Sequence, residues 1–535
     1  MQGKAERLPV TYGVTRAAGG ALPSSTSSYR SKPHSGGQGI YVRHLSRELA
    51  ALGHDVTVFS GPPYPELDDA RLVAGRATDR ATGPASRQTS PAKRAGATAS
   101  IEPTNPGSLH LEKLASLDLY NDDDPFRHPH PRELRDRIDV VEYAGMLSGS
   151  FPEPRTFGMR LAREMRSRSR EFDVLHDNQT LAPGLLDIAR GGLPVVTTIH
   201  HPISADRRLE IEAATNPWRK YTKSRWYSFV PMQARVARAS SRIITVSETS
   251  RDDIVREFGV DPERISIIPV GVDVETFTPD AGVAKSAPGI AVETPAPGVD
   301  VETFWPDGSA RHRVPGRLTT ITSANVPLKG LSVLIDALAL LPQDAWRELV
   351  VVGTPNRAVE TQLEALGLSP RVRFVSGISD DDLAGLLASA AVHVVPSLYE
   401  GFSLPAVEAM ACGTPVVATR VGALPQLVHG TDGETSAVTL SAGRVPAAHG
   451  GSAGPRAHAT GAADTSADAD GSDAGILVEP GDARALAGGI VSLLESEETR
   501  TRFGRVGRRR AVTTYSWRAV AEATAAVYTE EIARC

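Results

Sequence analysis

Short runs of branched apolar residues alternate along the chain with longer stretches whose apolar positions recur every three or four residues. "HDVTVFS" (54–60), "LPVVTTIH" (193–200) and "SRIITVS" (241–247) are runs of the first kind, and "IYVRHLSRELAALG" (40–53) is of the second. The pattern resumes with "ELVVVG" (348–353), "VRFVSG" (372–377), "AVHVVPS" (391–397) and "TPVVAT" (414–419), separated by "LSVLIDALALL" (331–341), "DDLAGLLASA" (381–390) and "LPAVEAMA" (404–411). Period 2 to near-continuous apolar runs predict strands, and the 3.6 period predicts helices. Strands apolar on both faces, each followed by an amphipathic helix, belong to parallel sheets covered on both sides. The series breaks into two, 27–272 and 311–515. The predicted architecture is therefore α/β with two Rossmann-like domains.

Other stretches interrupt this pattern. "GVDVETFTPD" at 271 returns as "GVDVETFWPD" at 298. Two copies are fewer than a solenoid needs, so the duplication reads as a lengthened linker over 273–310. Segments at about 74–107 and 436–472 hold too few large apolar side chains to offset the entropy of ordering, and read as surface-loop insertions. The helical "SWRAVAEATAAVYTEEIA" (516–533) is expected to close back on the N-terminal domain. One irregularity stands at the start. "GGALPSSTS" is poor strand sequence where a first strand belongs, and the better run, "PVTYGV" (9–14), lies upstream.

Composition narrows the function. With 58 basic and 63 acidic residues, the formal charge of −5 gives no footprint for nucleic acid. Two cysteines, Cys412 and Cys535, make no disulfide framework, and a reducing cytoplasm is expected. No apolar run approaches the roughly 18–20 residues of a membrane span. Acids and Arg16 break what would be the apolar core of a signal peptide.

The chemistry concentrates in "SLYEGFSLPAVEAMACGTPVVA" (397–418). Glu400 and Glu408 bracket a small-residue loop that runs into a helix, and no Lys or Arg lies between Glu400 and Arg420. Unpaired carboxylates are costly among apolar residues, so a partner outside the protein is expected. Ser403 is a plausible N-cap and Pro405 suits a first turn. A helix start at the carboxyl end of a strand offers free N–H groups to a phosphate, and Gly401 lets backbone come close. Carboxylates repel phosphate but accept from vicinal hydroxyls. Phosphate with a sugar on each side describes a nucleotide sugar.

"EGFSLPAVE" followed by "AMACGTPVVAT" resembles the paired-glutamate motif of the retaining family 4 (group 1) glycosyltransferases. "SGGQGIYVRHLSRELAALGHDVTVFS" is similar to that family's N-terminal glycine loop and first helix, and "GILVEPGDARALAGGI" to its usual C-terminal segment. The resemblance implies the GT-B fold, with the two Rossmann-like domains facing each other across a cleft. It implies that Glu400 contacts hydroxyls of the donor sugar and Glu408 the nucleotide ribose. Backbone at Gly401, Phe402, Ser403 and Leu404 would meet sugar and diphosphate. It also implies retention of anomeric configuration, no metal, and no cofactor beyond the nucleotide-sugar substrate.

Further candidates lie elsewhere. Gly36 and Gly37, in "GGQG" before a helix, would let backbone N–H groups approach a diphosphate, or would simply make a tight turn; Val42 stands where a dinucleotide fingerprint needs glycine. Lys329 in "NVPLKG" is either a surface lysine or the cation that neutralises the departing diphosphate. The family usually places arginine five residues earlier, where this chain has Ala324, leaving Asn325 as a neutral donor. His200, first of two histidines ending an apolar strand, matches a family histidine that touches the donor sugar, and a neutral imidazole suits hydroxyl recognition. "NDDDPFRHPHP" (121–131) and "DTSADADGSD" (464–473) lack metal-ligand spacing. The basic "RFGRVGRRR" (502–510) reads as a solvated helix face, with a peripheral membrane contact as the alternative.

The expected function is transfer of a sugar from a nucleoside diphosphate to an acceptor that is a lipid, a small metabolite or a glycan. A nucleotide-sugar binding protein with little transferase activity and a nucleotide-sugar epimerase on the same fold stay open at this point.

Overall fold

The computed structural model describes residues 13–14, 24–28, 37–67, 71–72, 107–121, 123–212, 214–281, 313–322, 324, 326–430 and 473–535. Gly36, Asn325, residues 74–106 and 436–472, and the second repeat copy lie outside them. The chain divides into two units: residues up to Ile268 together with Val520–Cys535, and Pro269–Ala519.

The first unit is built on β1 (Gly13–Val14), β2 (Ser24–Ser28), β3 (Val56–Ser60), β4 (Arg71–Leu72), β5 (Leu109–Lys113), β6 (Leu175–Asn178), β7 (Val195–Thr198), β8 (Arg242–Thr245) and β9 (Ile265–Ile267). Their order is β4-β5-β3-β2-β6-β7-β8-β9, parallel throughout, with β1 antiparallel to β2. All five residues of β3 and all four of β6, β7 and β8 are buried, as parallel strands with both faces covered require. The serine-rich segment read as poor strand is β2, at the centre between β3 and β6, with Ser24 beside Val56 and Ser25 beside Leu175. Pairing on both edges overrides its weak intrinsic preference.

The second unit carries β10 (Arg317–Ile321), β11 (Glu348–Val352), β12 (Val372–Val375), β13 (Val392–Val395), β14 (Val416–Thr419) and β15 (Gly475–Val478). Their order, β12-β11-β10-β13-β14-β15, is the parallel 3-2-1-4-5-6 of a nucleotide-binding sheet. One face is filled by Leu318, Leu334, Ile335, Leu349, Val392 and Ile490. Val407, Met410, Val416 and Leu427 fill the other. Residues 269–281, taken in part as linker from the repeat, belong to this unit: Val272, Phe277 and Ala281 are buried in that second core.

The basic stretch at 502–510 is not simply solvated. It lies in the helix Glu497–Thr514, where Arg508 donates to Ala411 O (2.9 Å) and Phe277 O (2.7 Å). Arg510 donates to Leu427 O and Val428 O, both at 2.7 Å. These guanidinium groups satisfy carbonyls at the ends of the helices Leu404–Ala411 and Leu424–His429, where cations also complement the helix dipole.

The last helix, Trp517–Arg534, contributes residues from Val520 onward to the first unit. There the buried Tyr528 hydroxyl lies 2.6 Å from His176 Nδ1, and Thr198 Oγ1 lies 2.6 Å from His176 Nε2. Glu530 pairs with Arg242 on β8.

Candidate active site

In the second unit β10 and β13 are neighbours whose following connections leave in opposite directions. That is the topological switch point where open α/β sheets bind ligands. The two loops that leave these strands are stitched together, for Leu398 N donates to Leu328 O at 2.7 Å. Two glycines press on the second loop. A Cβ on Gly330 would sit 1.9 Å from Pro396 O, and one on Gly422 only 1.4 Å from Glu400 O. Both have positive φ, +69° and +55°, so glycine answers two needs at each position.

This packing brings Lys329 onto Glu400. The ammonium donates to Oε1 at 3.0 Å and Oε2 at 2.8 Å, and Ser397 Oγ donates to Oε2 at 3.0 Å. Glu400 is 6% exposed. The expectation that only an external group could satisfy this carboxylate is thus corrected. Its partner lies 71 residues back, brought near by the adjacency of β10 and β13.

Ser403 caps the helix Leu404–Ala411 by accepting from Ala406 N at 3.4 Å, with Pro405 in the first turn. Gly413 N and Thr414 N close its far end on Met410 O and Ala409 O, both at 2.9 Å. Gly401, Phe402 and Leu404 stay half-buried along the entry. Glu408 is the one charged residue of the helix and is also half-buried. Among the described residues no hydrogen bond or ion pair reaches its carboxyl. Loss of hydration, and then the Asp380 carboxylate, push it up to about 7. Cys412 is buried in the core beside this helix, and its thiol is pushed up by that burial. Ala324 N donates to Thr354 O at 3.1 Å, and Asn356 Nδ2 donates to Ala324 O at 2.7 Å. The backbone is therefore fixed at the position where the resemblance leads one to expect an arginine.

The first unit holds His200 and Gly37. Gly37 opens the helix Gly37–Ala51, and Tyr41 one turn on meets the His200 ring edge-on at 4.9 Å between centroids. His200 Nε2 lies 2.6 Å from Asn178 Oδ1, and His200 N donates to Gln179 Oε1 at 2.8 Å. Burial, and then the neighbouring His201, hold the imidazole down at about 3, so it is neutral at physiological pH. The turn after β6 is strained. Gln179 and Leu181 have φ of +63° and +51°, conformations that cost about 1–3 kcal/mol each outside glycine and collect at functional sites. Asp177 Oδ2 accepts from Leu181 N at 3.1 Å, and burial pushes that acid up to about 7.

The structure thus assembles Lys329, Glu400, Gly401–Leu404 and Glu408 in one unit and places Gly37 and His200 in the other. Reading the sequence missed Ser397, Gly330 and Gly422, which shape the Glu400 loop, and Asn178 and Gln179, which contact His200. The "NQ" dipeptide ending an apolar strand was the visible signal for the last two. Among the described residues no group of three His, Cys, Asp or Glu side chains is placed to hold a metal ion.

Comparison with known proteins identifies the family and the fold. The family model for Glycosyl transferases group 1 matches residues 316–447, and that for Glycosyltransferase Family 4 matches 35–117 and 118–276. The MMP alpha-(1->4)-mannosyltransferase of Mycolicibacterium hassiacum is 42% identical over 509 residues, covering 95% of this chain and 98% of that protein. A D-inositol 3-phosphate glycosyltransferase of Mycolicibacterium gilvum is 32% identical over 285 residues, covering 50% of this chain and 55% of its own. Among solved structures, sucrose-phosphate synthase from Thermosynechococcus elongatus superposes with TM-score 0.53 at 20% identity, over 94% of this chain and 95% of that one. Anabaena Alr3699/HepE, crystallised with UDP, gives TM-score 0.52 at 16% identity, over 94% and 98%. Those two likenesses speak to the fold, and the mannosyltransferase to the family. The chain belongs to the family 4 (group 1) glycosyltransferases, on the GT-B fold, and is a glycosyltransferase.

Proposed function

We propose that the protein transfers a hexose, mannose by analogy with its 42% identical relative, from a nucleoside diphosphate to a sugar hydroxyl, with retention of anomeric configuration. The observation that carries this reading is the pair of glutamates at the switch point of the second unit. Glu400 is held by Lys329 at the mouth of a capped helix, and a turn further on Glu408 has no partner among the described residues. The helix start suits a diphosphate, Glu408 the ribose hydroxyls, and Glu400 the hydroxyls of the transferred sugar.

In this mechanism the acceptor oxygen bonds to the anomeric carbon as the bond from that carbon to the phosphate oxygen breaks. The departing phosphate takes the acceptor's proton, on the same face. Lys329 offsets the charge that grows on the leaving diphosphate. With Ala324 in place of the family's arginine, that task rests more heavily on the lysine. Neutral His200 exchanges hydrogen bonds with a donor hydroxyl. An α-(1→4) linkage, as in the relative's name, makes the acceptor group a 4-hydroxyl.

The test incubates purified protein with mannose and glucose conjugates of the common nucleoside diphosphates and with short mannosides as acceptors. Product linkage and anomer are read by NMR. An α-linked product that Glu400→Gln no longer forms supports the reading. A β-linked product, or equal turnover in that variant, overturns it.

A further inference from the structure

We infer that Asn178 and Gln179 are positioning residues that hold His200 in one tautomer and one place for sugar transfer; the inference rests on the assignment of His200 to that reaction.

Asn178 ends β6 and Gln179 follows it, and both are buried, at 0% and 1% exposure. Buried amides must be hydrogen-bonded or they destabilise the fold, and both ends of the Gln179 amide and the Asn178 Oδ1 meet the histidine pair. Gln179 grips the backbone on either side of the peptide that joins it. Its Oε1 accepts from His200 N at 2.8 Å, and its Nε2 donates to His201 O at 2.8 Å. Gln179 is itself held, since its carbonyl accepts from Gln233 Nε2 at 3.1 Å while its φ stays left-handed at +63°. Asn178 takes the ring. Its Oδ1, an acceptor only, lies 2.6 Å from His200 Nε2, which places the imidazole proton on Nε2.

Nδ1 is then an acceptor, and among the described residues it has no partner. It suits the hydroxyl of a sugar, which is a donor. The Tyr41 ring closes the remaining side. In this left-handed conformation Gln179 reaches His200 and His201 with its side chain while its carbonyl meets Gln233.

The test compares Gln179→Gly, Asn178→Asp, His200→Ala and the Gln179→Gly/His200→Ala double variant. Each is assayed for kcat and donor KM, and for its thermal midpoint. Glycine accepts the left-handed backbone, so Gln179→Gly removes the clamp and spares the turn. It is expected to lower kcat about tenfold or more, through misplacement of the ring, with donor KM within about twofold. In the His200→Ala background the same change should add little. Asn178→Asp should raise the imidazole pKa and move the acid limb of the kcat profile to higher pH. Imidazole ¹⁵N shifts of the unmodified protein should report the Nε2–H tautomer.

Wild-type kcat in Gln179→Gly, with His200→Ala impaired, overturns the positioning role and leaves the His200 assignment standing. Wild-type turnover in His200→Ala overturns both. A Gln179→Gly variant that loses only thermal midpoint marks a structural role and overturns the inference. So does an Nδ1–H tautomer.

Discussion

Lys329 Nζ reaches both carboxylate oxygens of Glu400, at 3.0 and 2.8 Å, so the acid assigned to the donor sugar is already engaged in the free protein. The lysine is about one-third exposed and the glutamate nearly buried. Removing the cation would leave a buried carboxylate with Ser397 as its remaining donor, at a cost of about 1–3 kcal/mol. In the proposed reaction a donor diphosphate arriving here would compete for the same ammonium, and donor hydroxyls would then replace it on Glu400.

That exchange predicts strong coupling between the two residues. Glu400→Gln and Lys329→Met should each lower kcat/KM about 100-fold or more, the scale of losing one transition-state contact. The double variant should be little worse than either single change, because groups that act as a unit are non-additive. Initial rates on the four proteins decide it. Multiplying losses would mean that the ion pair is incidental to transfer.

Glu408 predicts a pH signature in binding. In the proposed site, ribose hydroxyls would donate more strongly to its charged form than to its protonated one, so nucleotide binding should expel a proton. Affinity should rise with pH up to about 7 and level off above it. Calorimetry in buffers of different ionisation enthalpy should show about one proton released per nucleotide near pH 6, and none in Glu408→Gln. An unchanged proton count in that variant would move the ribose elsewhere.

The same carboxyl predicts a stability trend of definite sign. Between its ordinary value of 4.5 and about 7, the folded chain holds a proton that the unfolded chain has released, so stability falls as pH rises through that window. Glu408→Gln should therefore be the more stable protein at pH 8, by about 1–3 kcal/mol, and roughly equal to the parent at pH 4.5. Urea unfolding at the two pH values measures the difference.

Gly422→Ala places a methyl group where the Glu400 carbonyl already lies, whereas Gly367→Ala, also at positive φ (+68°), meets nothing within 4 Å. The second change should cost the backbone term alone, about 1 kcal/mol, and the first several times that. For a protein of this size each kcal/mol moves the thermal midpoint by roughly 2–4 °C. Transfer activity should follow the same order, since Gly422, unlike Gly367, packs against the Glu400 loop.

What could be read from the sequence was what depends on near neighbours. The helix Leu404–Ala411 matches its predicted bounds, because Ser403, Pro405 and Gly413 signal its ends locally. The strands around it matched within a residue or two for the same reason. The Lys329–Glu400 contact was hidden, since it exists only once the sheet order sets β10 beside β13. Central β2 was hidden too, because its serines become a strand through pairing with β3 and β6 rather than through preference. Arg508 and Arg510 looked like solvent-facing charge; their carbonyl partners come from helices about 80–100 residues away.

The last helix sets a schedule for synthesis. The first unit ends at Ile268 but takes Val520–Cys535 as part of itself, including the hydroxyl that meets His176. At the usual 5–20 residues per second, the ribosome needs roughly 10–50 s to traverse the intervening unit. Throughout that interval the earlier unit waits on the ribosome without its final piece. The later unit, whose residues are contiguous from 269 to 519, is the one able to complete its own fold first.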